Sequence, residues 1–284
     1  MPSARAAALT TLAMLAFAGN SLLCRAALKH TGIDAASFTT VRLASGALML
    51  WLLVRLRDGR QTGAGNWPSA LALVVYAAGF SFAYLSLPAA SGALLLFGAV
   101  QATMIGRGLW AGERFRRLQL VGLVLALGGL VGLLLPGLSA PPLVGSLLML
   151  GAGVAWGVYS LRGRGAGDPT RVTAGNFLRA VPIAAALSLL TILHNNGNAT
   201  PDGAGLVYAV LSGALASGIG YAIWYTALPL LKATSAATVQ LSVPVLAALG
   251  GVALLGEPLS LRLVLASVAI LGGIALVILE QRRS

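Results

Sequence analysis

Charge is scarce in this 284-residue chain. Asp, Glu, Lys and Arg make up 9% of it, against about 25% in a soluble domain. Hydrophobic residues make up 58% and the mean hydropathy is +0.89, which excludes a water-soluble globule. The single cysteine, Cys24, excludes an intramolecular disulfide and a cysteine-based metal cluster. Lysine occurs only as Lys29 and Lys232, neither within G-x-x-x-x-G-K-[ST], which excludes a P-loop nucleotide hydrolase. Acid is rare, and Asp34, Asp58, Glu113, Asp168, Asp202, Glu257 and Glu280 all fall at or near the ends of apolar runs. None is placed as a mid-membrane proton carrier. His30 and His194 also lie between runs, and no H-E-x-x-H or comparable catalytic set occurs. The chain therefore reads as a non-enzyme, with no cofactor and no metal expected. Its formal charge of +12 sits in short clumps between apolar runs rather than on one polar face, which argues for membrane orientation and against nucleic acid.

What the chain has in abundance is apolar text of membrane length, about 20 residues per span. Ten windows qualify: 6–27, 37–54, 68–87, 89–106, 117–135, 143–161, 173–193, 204–227, 233–255 and 261–279. Arg5 followed by an apolar run and Ala16-Phe17-Ala18 imitates a cleaved signal peptide, and Leu22-Leu23-Cys24 brushes against a lipoprotein box. The run continues past Ala18, so the first window is expected to be a retained span. Basic residues vote on orientation. Arg5, Arg55, Arg57, Arg60, Arg107, Arg114, Arg116, Arg117, Arg162, Arg164, Arg171, Lys232, Arg282 and Arg283 share the side of the N-terminus, and only Lys29 and Arg262 lie opposite. Both termini are expected in the cytoplasm of a bacterial-type cell, with the chain in its inner membrane.

The text repeats. Tyr225 and Pro229 follow Tyr84 and Pro88 by 141 positions, while Gly256-Glu257 and Gly272-Gly273 follow Gly112-Glu113 and Gly128-Gly129 by 144. Each copy runs Tyr-x3-Pro, apolar helix, Gly-Glu, apolar helix, Gly-Gly, so the chain divides into units 1–138 and 139–284 that form one membrane domain. Five spans per unit is an odd number, which turns the second copy upside down, a transporter architecture.

These features, with Arg42 in RLASGALML, Arg179 in LRAVPIAAAL and Pro244 in the ninth span, resemble the EamA type of the drug/metabolite transporter superfamily over essentially the whole chain. Within that family, GNSLLCRAALK and the aromatic third, sixth and eighth spans look most like its aromatic amino acid exporters. The resemblance implies an all-α integral membrane protein, with ten transmembrane helices in two inverted five-helix repeats around a central cavity, and amino-acid export. The first copy has Val100 where the second has Pro244, so a proline hinge is expected in one half only.

Polar groups in lipid are costly unless they face a cavity or a neighbour. Asn20 and Ser21 in the first span, Gln101 in the fourth, and Gln240 and Ser242 in the ninth are either cavity groups able to meet both ends of a zwitterion or ties between helices. Tyr76, Phe80 and Tyr84 share one helical face of the third span, and Ser217, Tyr221 and Tyr225 repeat those positions in the eighth. Tyr84 and Tyr225 suit gates at opposite mouths, with Phe80 and Tyr221 nearer the middle. Trp156 and Trp224 are cavity candidates, whereas Trp51, Trp67 and Trp110 at span ends suit an interfacial belt. Glu113 and Glu257 each precede a helix start, where the helix dipole favours negative charge. Arg42 and Arg179 are expected to snorkel as anchors.

The reading is an exporter of amino acids, aromatic and other neutral ones, working by alternating access. Its partners are then the substrate and the bilayer; the reading is compatible with a monomer, and the sequence does not set the oligomeric state. A drug or metabolite exporter with the same fold, a channel and an intramembrane enzyme are the alternatives, the last needing an ionisable group in the spans. The topology is testable: with Cys24 removed, cysteines placed near Gly59 and Gly165 should be shielded from impermeant thiol reagents in intact cells, and labelling of either from outside overturns the orientation.

Overall fold

The computed structural model describes residues 4–58, 64–112, 116–137, 140–163, 168–194, 202–231 and 239–280. The helices are α1 (Ala4–His30), α2 (Ala35–Asp58), α3 (Trp67–Tyr84), α4 (Ala89–Trp110), α5 (Arg117–Leu134), α6 (Leu143–Arg162), α7 (Pro169–His194), α8 (Gly203–Leu230), α9 (Ser242–Leu255) and α10 (Leu261–Glu280). Among the described residues there is no strand, and all of these helices except the 14-residue α9 are long and apolar enough to cross a membrane. The chain is a multi-pass membrane protein.

Local chemistry sets the helix ends. Asp34 accepts from the amides of Ala36 and Ser37 before α2, Asn66 from Ser69 before α3, and Asp202 from Gly205 before α8, each satisfying donors that a helix start leaves orphaned. Gly112 and Gly256, the glycines of the two Gly-Glu pairs, follow α4 and α9 with left-handed backbone, φ 93° and 61°, which glycine adopts without a Cβ clash. The ninth window is interrupted at Leu241, just before α9. Pro244 in the first turn has no N–H to return to the Gln240 carbonyl, so a break is favoured there.

Helix packing has a two-fold pattern. The pairs α5–α10, α2–α7 and α4–α9 each join corresponding helices of the two copies. Likewise α3 packs on α6 and α7 as α8 packs on α1 and α2, and α4 meets α6 as α9 meets α1. The repeated glycines make the α5–α10 contact. A Cβ on Gly273 would lie 2.4 Å from the Gly122 carbonyl oxygen, and one on Gly129 would lie 2.8 Å from the Ala269 Cβ. The first glycine of each Gly-Gly pair, Gly128 or Gly272, has nothing within 4 Å of that position. The proposed division at residue 138 falls outside the described residues.

One departure from regular helix was not foreseen. Leu211–Ile219 of α8 is wound as a π-helix, and the Gly220 amide reaches back to the Leu215 carbonyl. A Cβ on Gly213 would sit 2.1 Å from the Arg42 carbonyl oxygen, so the small residues of SGALASGIG let α8 press directly on α2. Such wide turns often mark functional sites.

The outer faces of α5 and α10 expose Leu120, Val124, Val131, Leu265 and Val268, as lipid contact requires. Trp67 and Trp110 are exposed, and the Arg55 and Arg107 guanidiniums lie over the rings of Trp51 and Trp110. The glycine geometry predicts a contrast. Gly273→Ala forces α5 and α10 apart, overpacking that costs about 1–3 kcal/mol, and should lower the melting temperature of the purified protein in detergent. Gly272→Ala should leave it unchanged or slightly raised.

Candidate functional site

A cavity of about 500 Å³ lies between the two copies, within the usual range for small-molecule sites. Its walls are Phe17, Asn20 and Ser21 from α1, Tyr76 and Phe80 from α3, Leu96, Phe97, Gln101 and Met104 from α4, Trp156 and Ser160 from α6, and Ala216, Tyr221, Trp224, Tyr225 and Leu228 from α8, with Gln240 ahead of α9. It reaches Gly163, Pro169 and Leu231, at the bundle end that carries the start of α1. Among the described residues, no Asp, Glu, Lys, Arg or His lines it.

The opposite end is tied shut. Glu257 accepts from Arg25 Nε at 2.8 Å and from the Ala89 backbone amide at 2.7 Å. Arg25 Nη1 donates to the carbonyls of Tyr84, at 2.8 Å, and Leu85. One carboxylate and one guanidinium thereby join α1, the end of α3, the start of α4 and the α9–α10 link. The sequence reading is corrected here: the Glu257 charge serves the N-terminus of α4, in the other copy, and not that of its own following helix α10. Glu113 lies outside the described residues. The backbones of α1, α3 and α4 approach one another closely, whereas among the described residues those of their counterparts α6, α8 and α9 do not, and α6 meets α8 through the Trp156 and Tyr221 side chains. The contact pattern is two-fold except where one mouth is closed and the other parted.

Aromatic rings build the cavity's apolar wall. The Trp156 ring lies 4.8 Å from Tyr76, 5.1 Å from Tyr221 and 5.3 Å from Tyr159, centroid to centroid. Phe17 stands edge-on to Tyr221 and Trp224. Polar groups interrupt this wall. Ser212 Oγ, from the π-helical stretch, donates to Asn20 Oδ1 at 2.6 Å, which turns Asn20 Nδ2 toward Tyr76 Oη at 3.4 Å. Arg42 Nη2 donates to the same hydroxyl at 2.9 Å. Ser21 Oγ and Gln101 Nε2 are buried without a protein partner, and buried polar atoms ordinarily have one.

Of the residues singled out in the sequence, Asn20, Ser21, Phe80, Gln101, Trp156, Tyr221, Tyr225 and Gln240 all line the cavity. Tyr84 does not. It is fully buried at the closed end, its ring filling the space beside Gly92 and its Oη 3.4 Å from the Ala89 carbonyl. Arg42 is a second correction. It sits two turns inside α2 and is 1% exposed, so it does not snorkel. Arg179 bonds to the carbonyls of Ala64 and Gly175, as an anchor would. Phe17, Phe97 and Met104 were missed, because one apolar residue in an apolar span carries no mark of its own.

The geometry predicts a size-dependent phenotype. Trp156→Ala removes apolar contact area and should impair handling of bulky aromatic solutes more than small ones, measured as uptake into proteoliposomes. Asn20→Ala and Gln101→Ala each remove a group whose hydrogen bond to a solute would contribute about 0.5–1.5 kcal/mol, and should weaken transport several-fold without loss of folded protein. Trp51→Ala, away from the cavity, should change little.

Comparison with known proteins agrees with this architecture. A model of the EamA-like transporter family matches residues 143–279. An uncharacterized protein of Pseudomonas aeruginosa, PA1977, is 63% identical over 279 residues, covering 98% of this chain and 96% of its own. An uncharacterized transporter of Archaeoglobus fulgidus is 27% identical over 97% of this chain and 98% of its own length. The threonine/homoserine exporter RhtA of Salmonella typhimurium is 37% identical over 164 residues, 55% of this chain and 53% of RhtA. A crystal structure 23% identical over the full length of both chains has a TM-score of 0.68, and so shares the fold. With apolar helices and two-fold packing among the described residues, the chain carries over its second copy, residues 143–279, the match to the EamA-like transporter family of the drug/metabolite transporter superfamily.

Proposed function

We propose that this transporter exports amino acids, aromatic and other neutral ones, across the inner membrane by alternating access. The observation that carries the proposal is the cavity. Its described lining is uncharged, and it is walled by aromatic rings, supplied with unpartnered amide and hydroxyl groups, and open at one end while an ion pair closes the other. Aromatic walls accept large apolar side chains, and amides and hydroxyls serve a zwitterion without fixing side-chain identity. With both termini cytoplasmic, the open mouth faces the cytoplasm, so substrate enters there and the Arg25–Glu257 tie is the outer closure. The units 1–138 and 139–284 then move against each other, with the break beside Pro244 as a hinge. One chain supplies these walls, so a monomer is the working unit. RhtA, described as a threonine/homoserine exporter, supports export of amino acids.

Counterflow in proteoliposomes tests the proposal. Labelled L-phenylalanine or L-threonine should enter vesicles preloaded with unlabelled substrate, and the flux should saturate. Because no carboxylate lines the cavity among the described residues, this exchange should persist when a protonophore collapses the pH gradient. Linear flux without stimulation by internal substrate indicates a channel, and strict dependence on the pH gradient shows that Glu113 or Glu257 carries protons.

A further inference from the structure

Among the described residues, Arg42 is a buried charge that the cavity's own lining does not explain. It is 1% exposed, and no carboxylate pairs with it among the described residues. The described carboxylates are engaged elsewhere: Asp34 and Asp202 at helix starts, Asp168 with Arg57 and at the start of α7, and Glu257 with Arg25. Arg42 Nε and Nη1 have no hydrogen-bond acceptor. Its guanidinium carbon lies 4.7 Å from the Phe80 centroid and 5.2 Å from that of Tyr76. Ring faces offset part of the cost of burying a cation, yet a buried guanidinium ordinarily takes a carboxylate. Both rings are cavity walls, so the charge stands directly behind the cavity surface in a medium that screens it poorly.

The hydrogen bonds around it have a direction. Ser212 occupies Asn20 Oδ1, Asn20 Nδ2 approaches Tyr76 Oη, and Arg42 Nη2 donates to that same oxygen. Tyr76 Oη is thus an acceptor twice over, which leaves its own proton for the neighbouring Tyr221 hydroxyl or for a solute in the cavity. Gln101 Nε2 and the Ser21 hydroxyl are two further donors without partners. This part of the cavity offers donors and a positive potential, and lacks a charged acceptor.

We infer that Arg42 makes the Asn20–Tyr76 side of the cavity a subsite for a carboxylate, acting through the Tyr76 hydroxyl, so that a transported solute must carry one. The inference rests on the amino-acid reading above and sharpens it: the carboxylate is recognised here, and the Trp156 and Tyr221 rings take the side chain. Arg42 does not line the cavity, so it is a positioning residue that sets specificity.

Competition against labelled L-phenylalanine counterflow provides the test, with unlabelled L-phenylalanine and L-phenylalaninamide as probes. The wild-type protein should prefer the acid over the amide by about tenfold or more, as loss of a charge-assisted hydrogen bond implies. Arg42→Lys should keep much of that preference. Arg42→Gln should bring the ratio toward one, and so should Tyr76→Phe, which keeps the ring and serves if Arg42→Gln fails to fold. A purely structural arginine would lower the amount of folded protein and leave the ratio unchanged. An amide that competes as well as the acid in the wild type, or a ratio that survives Arg42→Gln or Tyr76→Phe, overturns the inference while leaving amino-acid export intact. If neither phenylalanine nor threonine is transported, the amino-acid reading falls instead. The subsite is then judged by thermal stabilisation of the purified protein with benzoate against benzamide, and equal effects overturn it.

Discussion

A polar group inside a bilayer has no water to fall back on, so each must find its partner within the protein. Most of this chain obeys that constraint locally. Thr10, Thr39, Ser81, Thr103, Ser160 and Ser267 each return their hydroxyl to a backbone carbonyl one turn earlier. Away from the helix ends, the exceptions among the described residues are Ser21 Oγ, Arg42 Nε and Nη1, Gln101 Nε2 and Ser217 Oγ. Ser21 and Gln101 line the cavity, Arg42 lies behind two of its rings, and Ser217 adjoins Ala216 of its wall. Where the rule fails, it fails around one space. That is what a site kept for a polar solute requires, because interhelical ties would have paired these atoms with each other.

The duplicated text explains both the symmetry and its limit. Glycines at equivalent places end α4 and α9 in left-handed backbone, and glycines at equivalent places let α5 and α10 touch. Symmetric contacts of this kind do not depend on which mouth is open. The contacts that do differ are those of α1, α3 and α4 at the closed end, with Glu257 reaching across to Arg25 and Ala89. A carboxylate that holds the N-terminus of another helix joins the helix dipole to an ion pair, so a single side chain secures four segments.

What was legible in the sequence follows from periodicity and cost. Apolar runs of membrane length announced the helices, and the 141- and 144-residue offsets announced the pairing of copies, because both are properties of the chain read in one dimension. Asn20, Gln101 and Trp156 stood out because such residues are expensive in lipid. Phe17 and Met104 did not, since apolar residues in apolar spans are indistinguishable until packing is known. Glu257 was attached to the nearer helix start because sequence proximity was the available guide, whereas its partners are 168 and 232 positions away. Arg42 was assigned to a span end because the second window was drawn from 37, and α2 begins at Ala35 and carries the guanidinium inward. The π-helical stretch of α8 announced itself only as small residues, which are equally common at ordinary helix contacts.

α3 connects the closed end to the cavity. Its last residue, Tyr84, gives its carbonyl to Arg25, and its ring stands 4.8 Å from Phe80, whose other neighbours are the Tyr76 ring and the Arg42 guanidinium. Tyr76, Phe80 and Tyr84 are each one turn apart on a single helical face, so their backbone positions move together while the helix is intact. Releasing Arg25 from Tyr84 therefore frees the same face that presents the Tyr76 hydroxyl to the cavity. In the proposed cycle, a solute that settles against Tyr76 and a tie that holds Tyr84 act on one rigid element from two ends. On that proposal, α3 carries both the sensing of an occupied cavity and the opening of its closed mouth.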